Sequence, residues 1–156
     1  MSSTDLSRRR FCAGACHAAS GIALASVVSA CKGGDSPTSP NNPGVTLGVS
    51  QGRFTNGNVD VTVAGTALNN VGGAVLVESV AGVFLVSRTA DTTFSAIDAV
   101  CSHQSCTVTN ADGDIYVCPC HGSRYDRGGR VVQGPATASL RRYTSSFSNG
   151  TLTIVL

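Results

Sequence analysis

Two short segments constrain this chain more than anything else in its sequence. Residues 101–106 read Cys-Ser-His-Gln-Ser-Cys, and residues 118–123 read Cys-Pro-Cys-His-Gly-Ser. Each segment holds a Cys and a His at ligand spacing, C-x-H in the first and C-x-x-H in the second, and each adds one further Cys. Thiolate and imidazole are the donors expected around zinc or an iron-sulfur cluster, and these two spacings alone would serve either. A site divided between two loops is only as rigid as the loops' mutual position, so the fold has to hold them side by side.

The rest of the chain supplies a framework of short strands. Val59, Val61 and Val63 alternate with Asp60 and Thr62, residues 74–77 and 83–86 flank a turn at Ala81-Gly82, and no segment keeps a helical period. Further strands are expected at 94–100, 115–117, 140–144 and 151–156, with hairpin turns at Asp112-Gly113 and Asn149-Gly150. The pattern predicts an all-β domain from residue 45 to 156, a sandwich or small barrel of about eight to ten strands. Residues 1–30 hold three of the 11 basic side chains and one of the nine acidic ones, which leaves eight of each from Cys31 onward. That balance, with no basic run, argues against a nucleic-acid partner.

The two loops resemble those of the Rieske [2Fe-2S] family, whose pattern is C-x-H followed downstream by C-P-x-H-G-S; the match covers residues 101–125. The resemblance implies an antiparallel β-sandwich or small barrel with a two-loop cluster-binding subdomain. It also implies that one iron is held by Cys101 and Cys118 and the other by His103 and His121, with Cys106 and Cys120 paired in a disulfide that clips the loops together. Ser123 and Tyr125 fall where high-potential members of the family place a Ser donating to a bridging sulfide and a Tyr donating to a ligand thiolate, here that of Cys101. Zinc sites have no use for Cys106, Cys120, Ser123 and Tyr125 together. Gly134-Pro135-Ala136 resembles the family's rigid loop covering the cluster's third side. Arg124, Arg127 and Arg130 read as solvated surface charges.

The resemblance also gives the charge logic of the ligand set. With both irons ferric, two thiolates and two neutral imidazoles leave the site neutral, where four thiolates would make it a dianion. Adding an electron is then easier, and the potential lies in the Rieske range of about −150 to +300 mV.

The first 30 residues read as an address. Ser-Arg-Arg-Arg-Phe at residues 7–11 precedes a weakly apolar stretch, and Arg8, Arg9 and Phe11 resemble a twin-arginine export signal. Val28-Ser29-Ala30-Cys31 resembles a lipobox, which makes Cys31 the lipidated anchor; the alternative is an uncleaved N-terminal membrane anchor, for which the charge-free stretch of residues 18–30 is short. Residues 31–44 read as a Pro- and Gly-rich tether. An export signal and a disulfide agree on the oxidising, periplasmic side of a bacterial cytoplasmic membrane.

The resulting expectation is a redox subunit rather than a catalyst on its own: a one-electron carrier in a quinol:cytochrome c reductase-type chain. Its donor is quinol or a quinol-oxidising cytochrome b-type subunit, and its acceptor a c-type cytochrome. The quinol-oxidising subunits usually read C-T-H-L-G-C in the first loop, and this chain departs from them at Gln104 and Ser105. The alternative is the small electron-transfer subunit of an exported molybdenum oxidoreductase such as arsenite oxidase.

Overall fold

The computed structural model describes residues 42–156 and arranges them in two sheets. The expected twin-arginine pair, the lipidated Cys31 and most of the tether lie outside the described residues. Thirteen strands occur among those described: β1 (Val45–Thr46), β2 (Gly48–Gln51), β3 (Arg53–Thr55), β4 (Asn58–Thr62), β5 (Ala74–Ser79), β6 (Gly82–Ala90), β7 (Thr93–Asp98), β8 (Asn110–Asp112), β9 (Ile115–Val117), β10 (Arg124–Asp126), β11 (Val131–Gln133), β12 (Arg142–Ser148) and β13 (Thr151–Val155). One 3-10 turn at Ala67–Asn69 interrupts them, capped by the Thr66 hydroxyl accepting from the Leu68 amide. The count exceeds the eight to ten expected, because strands of two or three residues are too short to show an alternating pattern.

The larger sheet runs β2-β5-β6-β7-β12-β13-β4-β3, and all its pairings are antiparallel except the parallel pair β2 and β5. Its two edge strands, β2 and β3, are separated in sequence only by Gly52, so the sheet curls until one continuous stretch of chain forms both edges. Gly52 is required at that seam: a Cβ there would lie 2.5 Å from Cγ1 of Val59 and 2.9 Å from Cγ1 of Val77. The barrel interior holds Val59, Val61, Val75, Val77, Phe84, Val86, Leu152 and Ile154. In β4 and β13 these alternate with exposed or half-buried residues, as a strand with one wet face should.

The central strands are buried on both faces. Ala74, Leu76, Leu85 and Ile97 point away from the barrel interior into a second core shared with Tyr116, Tyr125, Val108, Leu140, Cys101 and Cys118. That second core is covered by the smaller sheet, in the order β1-β8-β9-β10-β11. Its turns are short: Asn149 and Gly150 form the expected two-residue hairpin loop with φ of 50° and 75°. Between β8 and β9, Asp112 pairs with Ile115, so the loop residues are Gly113 and Asp114, one position later than the Asp112-Gly113 expectation.

Candidate metal centre

Both Cys/His segments are loops of the small subdomain, the first joining β7 to β8 and the second joining β9 to β10. They close in the same way. In the first, the Cys101 amide donates to the Cys106 carbonyl at 2.8 Å and the Ser105 amide to the Cys101 carbonyl at 2.9 Å. In the second, the Cys118 amide donates to the Ser123 carbonyl at 2.8 Å and the Gly122 amide to the Cys118 carbonyl at 3.0 Å. The fourth residue after each Cys takes a left-handed backbone, with φ of 56° at Ser105 and 72° at Gly122. Each loop thus fixes its leading Cys by its own backbone before any metal is considered.

A Cys106–Cys120 disulfide joins the loops, with the two Cα atoms 6.5 Å apart. Cys101 and Cys118 remain free thiols and are buried. The sulfurs of Cys106, Cys118 and Cys120 lie within 4.8 Å of one another, but two of them are spent on the disulfide, so this trio is not a metal-binding set. The His103 and His121 rings meet edge to face, 4.9 Å between centroids, with His103 half-buried and His121 exposed.

The donor set fits an iron-sulfur group. Nδ1 of His103 is buried and has no hydrogen-bond partner among the described residues. Such an atom is costly unless a metal or a proton donor satisfies it. Each loop carries one buried free thiol and one imidazole, and the two imidazoles touch, which supplies the mixed sulfur and nitrogen donors that a Rieske-type centre uses. Burial alone would push the Cys101 thiol up. Hydrogen bonding from Tyr125 and the His103 backbone, with smaller contributions from Cys118 and Ser123, outweighs burial and holds Cys101 below the ordinary thiol value. Cys118 is pushed up, first by burial and then by its Cys101 neighbour, against backbone donors at Cys120 and His121.

A third segment, residues 134–140, closes over both loops. Gly134, at φ 101°, presses on the second loop so tightly that a Cβ would lie 2.6 Å from Cα of Ser123. The Ala136 amide donates to Oγ of Ser123 at 3.2 Å, which leaves the hydroxyl proton of this fully buried serine free to point at sulfur. On the first loop, Oη of Tyr125 lies 3.2 Å from Sγ of Cys101. Burial and that sulfur both raise the Tyr125 pKa, so it stays a donor.

Sequence reasoning missed Ser102. Its amide donates to Oη of Tyr125 at 3.3 Å, its hydroxyl lies 3.2 Å from the same oxygen, and that hydroxyl donates to the Ala138 carbonyl at 2.5 Å. Ser102 therefore orients the tyrosine and pins the covering segment to the first loop. The only signal was a hydroxyl residue lying between two candidate ligands.

The arginines need a correction. Arg124 is not solvated: it is 3% exposed, forms an ion pair with Asp112 and donates to the Asn42 carbonyl at 2.9 Å. Asn42 in turn donates to Asp112, and Asn110 to the Pro43 carbonyl, each at 3.0 Å. The last tether residues are thus bound to the small sheet behind the second loop. Arg127 is half-buried, its guanidinium 4.6 Å above the Tyr116 ring and donating to the Gly113 carbonyl at 2.6 Å. Only Arg130 of the three is exposed. No helix among the described residues is long and apolar enough to cross a membrane.

A family model described as the Rieske [2Fe-2S] domain matches residues 55–144. The chain belongs to that family. It carries a Rieske [2Fe-2S] cluster and transfers electrons through it. A cytochrome b6-f complex iron-sulfur subunit of Prochlorococcus marinus is 53% identical over 45 residues, 28% of this chain and 25% of the relative. Subunit 1 of the same kind from Nostoc is 44% identical over 77 residues, 46% of this chain and 42% of the relative. The chain spans less than half the length of these Rieske relatives. Among solved structures, the cyanobacterial plasma membrane Rieske protein PetC3 from Synechocystis is 27% identical, covering 53% of this chain and 86% of that one with a TM-score of 0.48.

Proposed function

We propose that Cys101 and Cys118 hold one iron of the cluster and His103 and His121 the other, and that the chain is the iron-sulfur component of a quinol:cytochrome c reductase-type chain. When bound, the cluster supplies a reversible one-electron couple. The observation that carries the reading is the surround of Cys101. Its sulfur meets the Tyr125 hydroxyl at 3.2 Å, and the buried Ser123 hydroxyl also acts on it. Donors aimed at a thiolate ease the addition of negative charge and raise the potential toward the range that quinol oxidation uses. The resemblance to cytochrome b6-f iron-sulfur subunits supports the same context.

The chain's own residues divide the work. The disulfide and the segment 134–140 keep the two loops at fixed separation and exclude water, while the exposed His121 ring reaches outward. A proton on its outer nitrogen can be exchanged with a docked quinol, so electron and proton movement are coupled at one edge. The acceptor is a c-type cytochrome. Cys31, lipidated after twin-arginine export, anchors the head on the periplasmic side, and the tether gives it reach.

The test is quinol-dependent cytochrome reduction in membranes with and without the gene, alongside iron and sulfide analysis and electron paramagnetic resonance of the reduced protein. Loss of the rate on deletion is the expected result. Unchanged rates overturn the quinol assignment and turn attention to a molybdenum oxidoreductase as partner. Stoichiometric zinc in a colourless protein overturns the ligand assignment. Labelling with a radioactive fatty acid, lost in Cys31→Ser, checks the anchor.

A further inference from the structure

Ser123 and Tyr125, the two hydroxyl donors of the metal centre, flank a buried cation. Arg124 stands between them at the start of β10, and successive side chains of a strand point to opposite faces. The register shows the division. Tyr125 lies opposite Tyr116, which lies opposite Ala111, and this row faces the second core. Arg124 lies opposite Val117, and Val117 opposite Asn110, on the outer face of the small sheet.

That outer face receives the docked end of the tether. Nη1 of Arg124 donates to the Asn42 carbonyl at 2.9 Å and Nη2 pairs with Asp112, whose other oxygen accepts from Nδ2 of Asn42 at 3.0 Å. The three residues close a ring. Oδ1 of Asn42 accepts from the Gly44 amide at 3.1 Å, and Gly44 lies so close to β8 that a Cβ there would stand 2.6 Å from the Ala111 carbonyl oxygen. Asn42 and Pro43 also share a crevice with Cys118, Pro119 and Gly122 of the second loop.

On its β11 side, backbone pairing holds β10 irregularly. Arg124 pairs with Gln133 but Tyr125 with Val131, so Val132 is extra and the ladder slips between the two residues that carry the ring and the tyrosine. The hydroxyls nonetheless need fixed placement. A hydrogen bond weakens as its geometry opens, and Oη of Tyr125 already lies 3.2 Å from Sγ of Cys101.

We propose that Asn42, Asp112 and Arg124 form a positioning clamp that holds the Ser123 and Tyr125 hydroxyls on sulfur, so that the cluster's potential depends on the docked end of the tether. A buried ion pair adds little net stability over apolar residues of the same shape, so what the clamp contributes is geometry. Asp112 neutralises the guanidinium, and the clamp acts through the two donors rather than through its own charge. The proposal rests on the donor roles of Ser123 and Tyr125.

The test is protein-film voltammetry of the cluster-loaded full chain carrying Asn42→Ala, or the charge-neutral combination of Arg124→Gln with Asp112→Asn. Asn42 is exposed, so its truncation disturbs no buried packing. Each variant lowers the reduction equilibrium constant at least about twofold, a fall of about 18 mV at 59 mV per tenfold. In a chain that also carries Ser123→Ala and Tyr125→Phe, neither moves the potential further, because no donor remains to be misplaced. Amide exchange read by mass spectrometry gives a second measure. The Ser102 amide donates to Oη of Tyr125 and the Ala136 amide to Oγ of Ser123, and both exchange faster in Asn42→Ala. An unchanged potential in either variant, unchanged exchange at both amides, or an equal shift with the two hydroxyls absent overturns the clamp and leaves an ion pair that only stabilises the sheet. A parental potential in the chain carrying Ser123→Ala and Tyr125→Phe alone overturns the donor roles themselves, and the clamp with them.

Discussion

Replacing Tyr125 by Phe removes one oxygen and leaves a ring that is fully buried. The lost group is the donor 3.2 Å from Sγ of Cys101. A hydrogen bond to a charged acceptor contributes about 1.5–3 kcal/mol net. The low end applies here, because sulfur is a diffuse acceptor and Ser102 Oγ, also at 3.2 Å, competes for the same proton. The thiolate is present in both redox states, so only the part of the bond that strengthens when an electron arrives moves the potential. Taking that part as roughly half to most of the bond gives about 0.7–1.4 kcal/mol, and at 59 mV per tenfold for one electron the potential falls by about 30–60 mV. The direction is fixed: a donor stabilises the more negative, reduced site, so its loss lowers the potential. Protein-film voltammetry of the cluster-loaded variant measures it. A potential equal to that of the parent, with iron and sulfide content unchanged, refutes the role given to Tyr125.

Ser123→Ala removes a buried hydroxyl whose oxygen is occupied by the Ala136 amide and whose proton is left for sulfur, so voltammetry should again show a lower potential with the cluster retained. Cys106→Ser combined with Cys120→Ser opens a loop of about 15 residues, and the chain-entropy model assigns the disulfide about 3 kcal/mol; bleaching of the cluster's visible absorbance should begin at a lower denaturant concentration. Ser105→Gly relieves a non-glycine residue at φ 56° and should raise stability by about 0.5–1 kcal/mol in equilibrium unfolding, the gain being trimmed by glycine's greater freedom in the unfolded chain. Burial holds the folded Tyr116 pKa above its ordinary value near 10, so the folded state keeps a proton that the unfolded chain has lost, and stability declines as pH rises past about 10. Tyr116→Phe should flatten that decline in denaturation midpoints taken on either side of it.

What could be read in the sequence is what chemistry or periodicity repeats. The Cys106–Cys120 disulfide was legible through the resemblance of the two loops to a family that pairs those cysteines, and the four residues proposed as ligands rest on the same resemblance, since their spacings alone would also serve zinc. Strands β4 and β13 were legible because their wet and dry faces alternate. Strands β1, β3, β8, β10 and β11 are two or three residues long, less than two full periods, and went unread; β9 is as short, and was legible only as the apolar run Ile115–Val117 after a Gly-containing turn. Expected at 140–144, β12 runs instead over Arg142–Ser148, because Leu140 donates its amide to Gly129 and belongs to the segment over the cluster loops. Arg124 was misread for a different reason. Its environment is set by Asp112, on another strand, and by the Asn42 carbonyl, 82 residues away in sequence. A neighbouring run of charges suggests solvent unless those partners are known.

The likeness of the two loops was written in the sequence only as a shared Cys and His. Its substance lies in the backbone, where the same two hydrogen bonds tie each leading Cys to the fourth and fifth residues after it. That frame requires a left-handed residue at the fourth position, which the second loop fills with Gly122 and the first with Ser105. Gly122 accepts the conformation freely, while Ser105 does so at a cost of about 1 kcal/mol or more. The departure from C-T-H-L-G-C at Ser105 is therefore tolerated strain within an unchanged loop. Ser105 and Gln104 are both exposed, and Ser105 spends only its amide on the loop. The substitutions thus alter the outer face that a partner meets and leave the Cys101 sulfur, the disulfide and the Tyr125 contact in place. In the proposed quinol reaction that face meets the donor, and a Gln104→Leu variant should change the rate of reduction by quinol while the potential stays that of the parent.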